Sequence, residues 1–220
     1  MKTEWFKQPS VQLFAGLALR VLLYALLLGG LAYGMLWGAV NQGEAFYDEI
    51  GLVETLQAAF ALVAALFFLA AGRLDKTREP LAVVMTGFLF CLFIREFDYF
   101  LDELVARHAW KSLVLLMLVL LAVYIAKNAK RVVASVLDFL SQPSFGVFLS
   151  GLLIVVVFSR LFGYGDFWEE LIEGSYYRVI KTIIEEGTEL MGYSLLLISS
   201  CEYLYAVRRG LSPRVGVSFF

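Results

Sequence analysis

The chemistry available to this chain is concentrated in a few carboxylates and guanidinium groups set into apolar sequence. Glu185, Glu186 and Glu189 open one such stretch, and their spacings of three and four residues put pairs of carboxylates on one side of a helix. Arg95, Glu96 and Asp98 close another, with Arg95 and Asp98 as helical neighbours. Glu54 stands near the start of a third, three residues before Gln57, and Tyr193 extends the Glu189 face one turn deeper.

Counting six carboxylates (Glu54, Glu96, Asp98, Glu185, Glu186 and Glu189) against Arg95 and Arg160 leaves four negative charges in excess if all ionise. A charge at the centre of a bilayer costs about 2.5–3.5 kcal/mol on insertion scales and less near the interface, so such a group needs partners. A water-filled vestibule, protons shared between carboxylates, or a bound cation would each relieve the excess. Hard oxygen ligands suit Ca²⁺, Mg²⁺ or Mn²⁺, whereas zinc and copper favour His and Cys, and the chain has one His and two Cys. The competing explanation is a structural Arg–Glu clamp between helices.

These charges stand out because of what surrounds them. Hydrophobic residues make up 60% of the 220-residue chain and charged residues 17%, with a mean hydropathy of +0.77. That composition excludes an ordinary soluble domain and points to an all-α, polytopic integral membrane bundle. The expected arrangement is a single transmembrane domain over 1–220, with about six spans near 11–40, 52–72, 81–101, 111–127, 143–162 and 185–207. Short interfacial helices are expected near 128–141 and 166–183. The uncharged windows behind the third, fourth and sixth spans fall short of the roughly 18 residues a span needs, so charged residues must complete them. This draws Arg95, Glu96, Asp98, Glu185, Glu186 and Glu189 into the membrane, at a depth similar to that of Glu54.

Lys and Arg orient the chain. Lys2, Lys7, Arg73, Lys76, Arg78, Lys127, Lys130, Arg131, Arg208, Arg209 and Arg214, eleven of eighteen, fall on one side, which makes both termini cytoplasmic, as in a bacterial inner membrane. Fifteen of the twenty carboxylates then lie on or toward the outer side. Among these, Glu44, Asp48, Glu49, Asp166, Glu169 and Glu170 read as a solvated acidic rim. The first apolar stretch is too long for a cleaved signal peptide and lacks a small-x-small site.

Gly30, Gly34 and Gly38 recur at four-residue spacing and mark a helix face for close packing, within the protomer or in a homo-oligomer. Lys127, Lys130 and Arg131 lead into Val132, Val133, Val136, Leu137 and Leu140, a stripe expected to lie on the cytoplasmic leaflet or dock on the bundle. A break is expected near Gly174, before a helix that runs into the sixth span. Cys91 and Cys201 read as small buried hydrophobes, and His108 as a surface or interfacial side chain.

No basic face is large enough to track nucleic acid, and no phosphate loop, nucleophile elbow, zinc-binding His motif or Cys-x-x-Cys pair is present. The first functional expectation is therefore a small membrane protein whose outer-half carboxylate/Arg cluster binds or conducts a cation or proton. The alternatives are a non-enzymatic membrane sensor or scaffold subunit, with partner membrane proteins, or an enzyme acting on lipid headgroups. The expected partners are the bilayer and either further copies or other membrane proteins.

Overall fold

The computed structural model describes residues 9–47, 51–172 and 177–210. These residues are almost wholly helical, with no strand among them. In chain order they form α1 (Pro9–Asn41), a 3-10 turn (Gly43–Phe46), α2 (Leu52–Leu74), α3 (Glu79–Arg95), α4 (Asp98–Leu104) and α5 (Ala109–Leu140). Then follow α6 (Pro143–Leu153), a π-helical turn (Ile154–Phe158), α7 (Ser159–Phe162), α8 (Gly165–Leu171) and α9 (Tyr177–Arg209). Five segments are long and apolar enough to cross a membrane, namely α1, α2, α5, the continuous run Pro143–Phe162, and α9. The α3–α4 pair, bent by 65°, makes a sixth if it counts as one span. The protein is thus a helical membrane protein.

The chain divides into two compact units, residues 1–42 and 43–220. The described part of the first is α1, an apolar helix of 33 residues. In the second, α2 packs against both α3 and α9, α3 against α5, and α9 against α6. Small residues on α2 explain why it can hold two neighbours at once. Ala58, Ala61, Ala65, Phe68 and Ala71 recur at helical spacing and are almost completely buried, so neighbouring backbones come close everywhere but at Phe68. Phe68 fills the remaining space, with its ring centroid 5.2 Å from that of Tyr203, 5.8 Å from Phe139 and 6.0 Å from Phe148.

The residue types at the junctions account for the turns. Pro80 and Pro143 occupy opening positions of α3 and α6, where a missing N–H costs no helical hydrogen bond. Between α2 and α3, the Asp75 carboxylate accepts from the Thr77 amide at 2.9 Å and the Thr77 hydroxyl at 2.7 Å. Gly210, with φ of +61°, follows the end of α9, where a left-handed residue commonly closes a helix.

The segment 128–141 does not form a separate helix. α5 runs on to Leu140, with its one non-helical position at Asn128 (φ −121°, ψ 21°), where the side-chain amide donates to the Tyr124 carbonyl at 3.0 Å. Beyond this kink Val132, Ser135 and Phe139 are buried, and Phe139 joins the Phe68 cluster, so the segment docks on the bundle. Cys91 is buried, Cys201 half-buried, and both are free thiols. His108, exposed and in the left-handed region at φ 66°, precedes α5. The expected break at Gly174 lies outside the described residues, as do Asp48, Glu49, Lys2, Lys7 and Arg214.

Candidate functional site

Four of the six expected carboxylates meet at one end of the second unit. The Glu189 side chain, 2% exposed, is held between two guanidinium groups. Arg95 Nη2 from the end of α3 lies 2.6 Å from its Oε2, and Arg160 Nη2 from α7 pairs with its Oε1. Arg95 also engages Glu96, with Nη2 and Nε at 2.7 and 2.9 Å from Oε1. That same oxygen accepts the buried Tyr193 hydroxyl at 2.6 Å. Arg160 reaches Glu185 at 3.4 Å, and Lys181, one turn earlier on α9, lies 3.1 Å from the other Glu185 oxygen. Gln57 of α2, fully buried, donates Nε2 to both the carboxylate (3.0 Å) and the backbone carbonyl (3.1 Å) of Glu186.

Local backbone features aim these groups. α3 stops at Arg95, and the bend before α4 leaves Glu96 buried against Tyr193 rather than continuing a straight span. Asp98, expected to share a helix face with Arg95, instead begins α4, is half-buried, and forms no hydrogen bond or ion pair among the described residues. Glu54 stands half-buried in the first turn of α2, before Gln57. On the α6–α7 run, the π turn adds one residue to the helical register. The residues beyond it, Arg160 included, are therefore rotated by about 100° relative to an unbroken α-helix. Gly163 completes the fit, because a Cβ there would collide with the Glu185 carboxylate.

With Lys181 included, four carboxylates face three cations, so the excess falls from four charges to one. Among the described residues, Glu186 is the one of these four carboxylates with no guanidinium or ammonium within ion-pair distance. Among the described residues, no group of three or more His, Cys, Asp or Glu side chains is placed to hold a metal ion. Carboxylate oxygens of Glu96, Glu185, Glu186 and Glu189 face nitrogen donors, and Glu96 Oε1 also accepts the Tyr193 hydroxyl.

A second polar cluster, unforeseen from the sequence, occupies the other end of α2. Arg78 is 6% exposed and lies 3.2 Å from Asp75 and 3.4 Å from Asp138, which also accepts from Gln142 Nε2 at 2.9 Å. Its guanidinium carbon sits 5.5 Å from the centroid of the Tyr203 ring. Gln57 and Asp75 are eighteen residues apart on α2, about 27 Å by helical rise, close to the thickness of a bilayer core. Between the two clusters the hydroxyls of Thr86, Ser194, Ser199 and Ser200 all donate to backbone carbonyls, and the α2 face between them is alanine and phenylalanine.

Outside the membrane-length helices, Asp166, Glu169 and Glu170 are exposed, as a solvated rim requires. The Asp166 carboxylate accepts the Tyr164 hydroxyl at 2.9 Å and pushes that phenol above its ordinary range, while burial does the same to Tyr47. Within α1, a Cβ at Gly30 or Gly34 would meet no atom of the described residues within 4 Å. Close glycine contacts are seen within residues 43–220. A Cβ on Gly151 would come 2.8 Å from the Gly192 carbonyl oxygen, and one on Gly192 would come 2.5 Å from a Val155 methyl. Compared with known proteins, the chain matches no family model, no curated sequence and no solved structure.

Proposed function

We propose that this protein is a non-enzymatic scaffold or sensor subunit of a membrane assembly, oriented with both termini in the cytoplasm. In this reading the buried charges lock its helices together. The observation that carries it is the double pairing of Glu189. Arg95 ties α9 to α3, Arg160 ties α9 to α7, and a polar clamp at each end encloses a middle in which hydroxyls serve the backbone. A conduction path needs polar groups that continue across the bilayer and stay free to exchange partners. Here the Arg95, Arg160 and Arg78 guanidinium groups are engaged, and the hydroxyls of Thr86, Ser194, Ser199 and Ser200 in the intervening layer are committed to backbone carbonyls. Gly30 and Gly34, with open space at their Cβ positions, give another membrane helix, from a second copy or a different protein, a face on which to pack.

One observation favours the reading as a proton or cation site. Glu186 is the fourth carboxylate against three cations, and Gln57 Oε1, buried beside it, accepts no hydrogen bond among the described residues. Melting and liposome flux separate the two readings. The scaffold reading expects wild-type melting unchanged by Ca²⁺, Mg²⁺ or Mn²⁺, and no flux of these ions or of protons. Ion-dependent stabilisation or proton flux that disappears in Glu186→Gln, with the fold intact, would replace it with the binding-site reading.

A further inference from the structure

Helix α5, with 32 residues, is longer than a membrane crossing requires. From Trp110 to Lys127 it already rises about 26 Å, most of a bilayer core, which brings Lys127 to the membrane surface. Two contacts fix the direction of the turns that follow. A Cβ on Gly72 would lie 2.5 Å from Ala82 Cβ, so α2 and α3 share one depth there. Phe68, one turn back along α2 from Gly72, and Gly87, five residues along α3 from Ala82, therefore stand within about 2 Å of a common depth. Leu121 of α5 packs on Gly87, where a Cβ would come 2.6 Å from its Cδ2. Phe139 lies about 27 Å further along a straight helix, yet its ring centroid is 5.8 Å from that of Phe68. Arg78, at the α2–α3 turn, likewise holds Asp138 at 3.4 Å. Beyond the kink at Asn128, residues 129–140 therefore run across the foot of the bundle, along the membrane surface, instead of away from it.

The surface of this segment divides into three sectors. Val132, Ser135 and Phe139 are buried against the bundle. At 100° per residue the exposed Val133, Leu137 and Leu140 fall within about 60° of one another. The exposed Lys130, Ala134 and Arg131 occupy the adjoining sector, with Lys130 bordering Leu137. Lys127, just before the kink, is exposed as well. Among the described residues, Lys127, Lys130 and Arg131 form no ion pair, whereas Asp138, the one acid in this segment, is committed to Arg78 and Gln142. A helix lying in the surface with its apolar sector among acyl chains holds the neighbouring basic sector at the level of the phosphates. Three cations without a protein partner complement a headgroup whose phosphate charge is not balanced by an amine of its own.

We infer that α5 beyond Asn128 is an interfacial helix that binds anionic phospholipid, with phosphate at Lys127, Lys130 and Arg131 and acyl chains along Val133, Leu137 and Leu140. This site is independent of the Arg95–Glu189 cluster and of the scaffold reading.

Native mass spectrometry of the delipidated full chain, titrated separately with phosphatidylglycerol and phosphatidylcholine, tests the phosphate site. The wild type should bind phosphatidylglycerol in preference. Lys127→Gln, Lys130→Gln and Arg131→Gln together should lower that preference about tenfold or more, at roughly fivefold per charge. Arg73→Gln, Lys76→Gln and Arg208→Gln, the same change of charge at exposed positions outside this segment, should leave it unchanged. Lys130→Gln alone, with a loss of about fivefold, serves if the first triple variant fails to melt like the wild type. No preference in the wild type, or an equal loss in the two triple variants, would overturn the proposal. Nitroxide labels at Leu137→Cys or Ala134→Cys, with Cys91 and Cys201 replaced by Ala, test the placement in phosphatidylglycerol vesicles. Oxygen dissolved in the bilayer should relax the label at position 137, and a water-soluble nickel chelate the label at position 134. Relaxation of both labels by the chelate would also overturn it.

Discussion

Arg95 is the residue on which the Glu189 cluster depends most. It contacts two carboxylates that are 5% and 2% exposed, and its own side chain is 27% exposed. Arg95→Leu would leave Glu96 and Glu189 facing each other with half their compensation gone. It should destabilise the protein by about 3–5 kcal/mol, the range for breaking a buried pair from one side. Glu189→Gln should cost less, because the amide keeps the shape and an acceptor oxygen while lowering the net negative charge. Arg160→Leu should cost less than Arg95→Leu, since that side chain is 54% exposed and its pairing with Glu189 is more screened, with Arg95 still in place on Glu189. Denaturant unfolding in detergent of the three variants should return that order. An Arg160→Leu loss as large as that of Arg95→Leu would contradict the burial argument.

At the scale of elements, the π turn and the glycine contacts decide which side chains meet. Deleting Val156 would remove the extra residue that the π turn accommodates and leave a regular α-helix in which Arg160 keeps its direction toward α9. In a double-mutant cycle, coupling between positions 160 and 189 should then persist, as should coupling between Arg95 and Glu189. Lost 160–189 coupling would contradict this reading of the π turn. The glycines give a second test. Gly192→Leu drives a branched side chain into Val155 and the Gly151 backbone and should destabilise by about 1–3 kcal/mol or more. Gly34→Leu meets open space and should leave melting unchanged, but should alter native mass in detergent if α1 packs on another membrane helix. Unchanged mass would leave the Gly30–Gly34–Gly38 face without that role.

For the whole molecule, the two clamps about 27 Å apart along α2 fit a bundle whose charges sit near the two faces of a bilayer. In the proposed orientation the Arg78 end faces the cytoplasm. Reporter fusions at Lys76 and Lys130 should therefore both report cytoplasm, and one at Glu170 the opposite side. A reporter at Lys76 appearing outside would reverse the orientation, and one at Glu170 appearing inside would remove a crossing between Lys130 and that point.

Composition and hydropathy alone determined the helical membrane class and most of the helix positions, because spanning length and apolar content are local properties. The described run Pro143–Phe162 has the same limits as the stretch expected there, and the kink at Asn128 falls where Lys127 ends the uncharged window. Spacing also singled out Glu96, Glu185, Glu186 and Glu189 with Arg95 and Arg160, since a charge in an apolar helix is conspicuous without knowledge of its neighbours. Only the tertiary structure decided who pairs with whom. Lys181 is an ordinary four-residue neighbour of Glu185 until the fold places Arg160 on the same carboxylate. Asp98 leaves the group because the chain bends after Arg95. Arg78, Asp75, Asp138, Gln142 and Tyr203 come from three separate segments that converge at the foot of α2. Glycine spacing pointed to α1, whereas no spacing marked Gly151 and Gly192, which meet where α6 packs on α9. Contact between helices depends on which faces the packing turns toward each other, and that rotation is a property of the assembled bundle rather than of any one stretch of sequence.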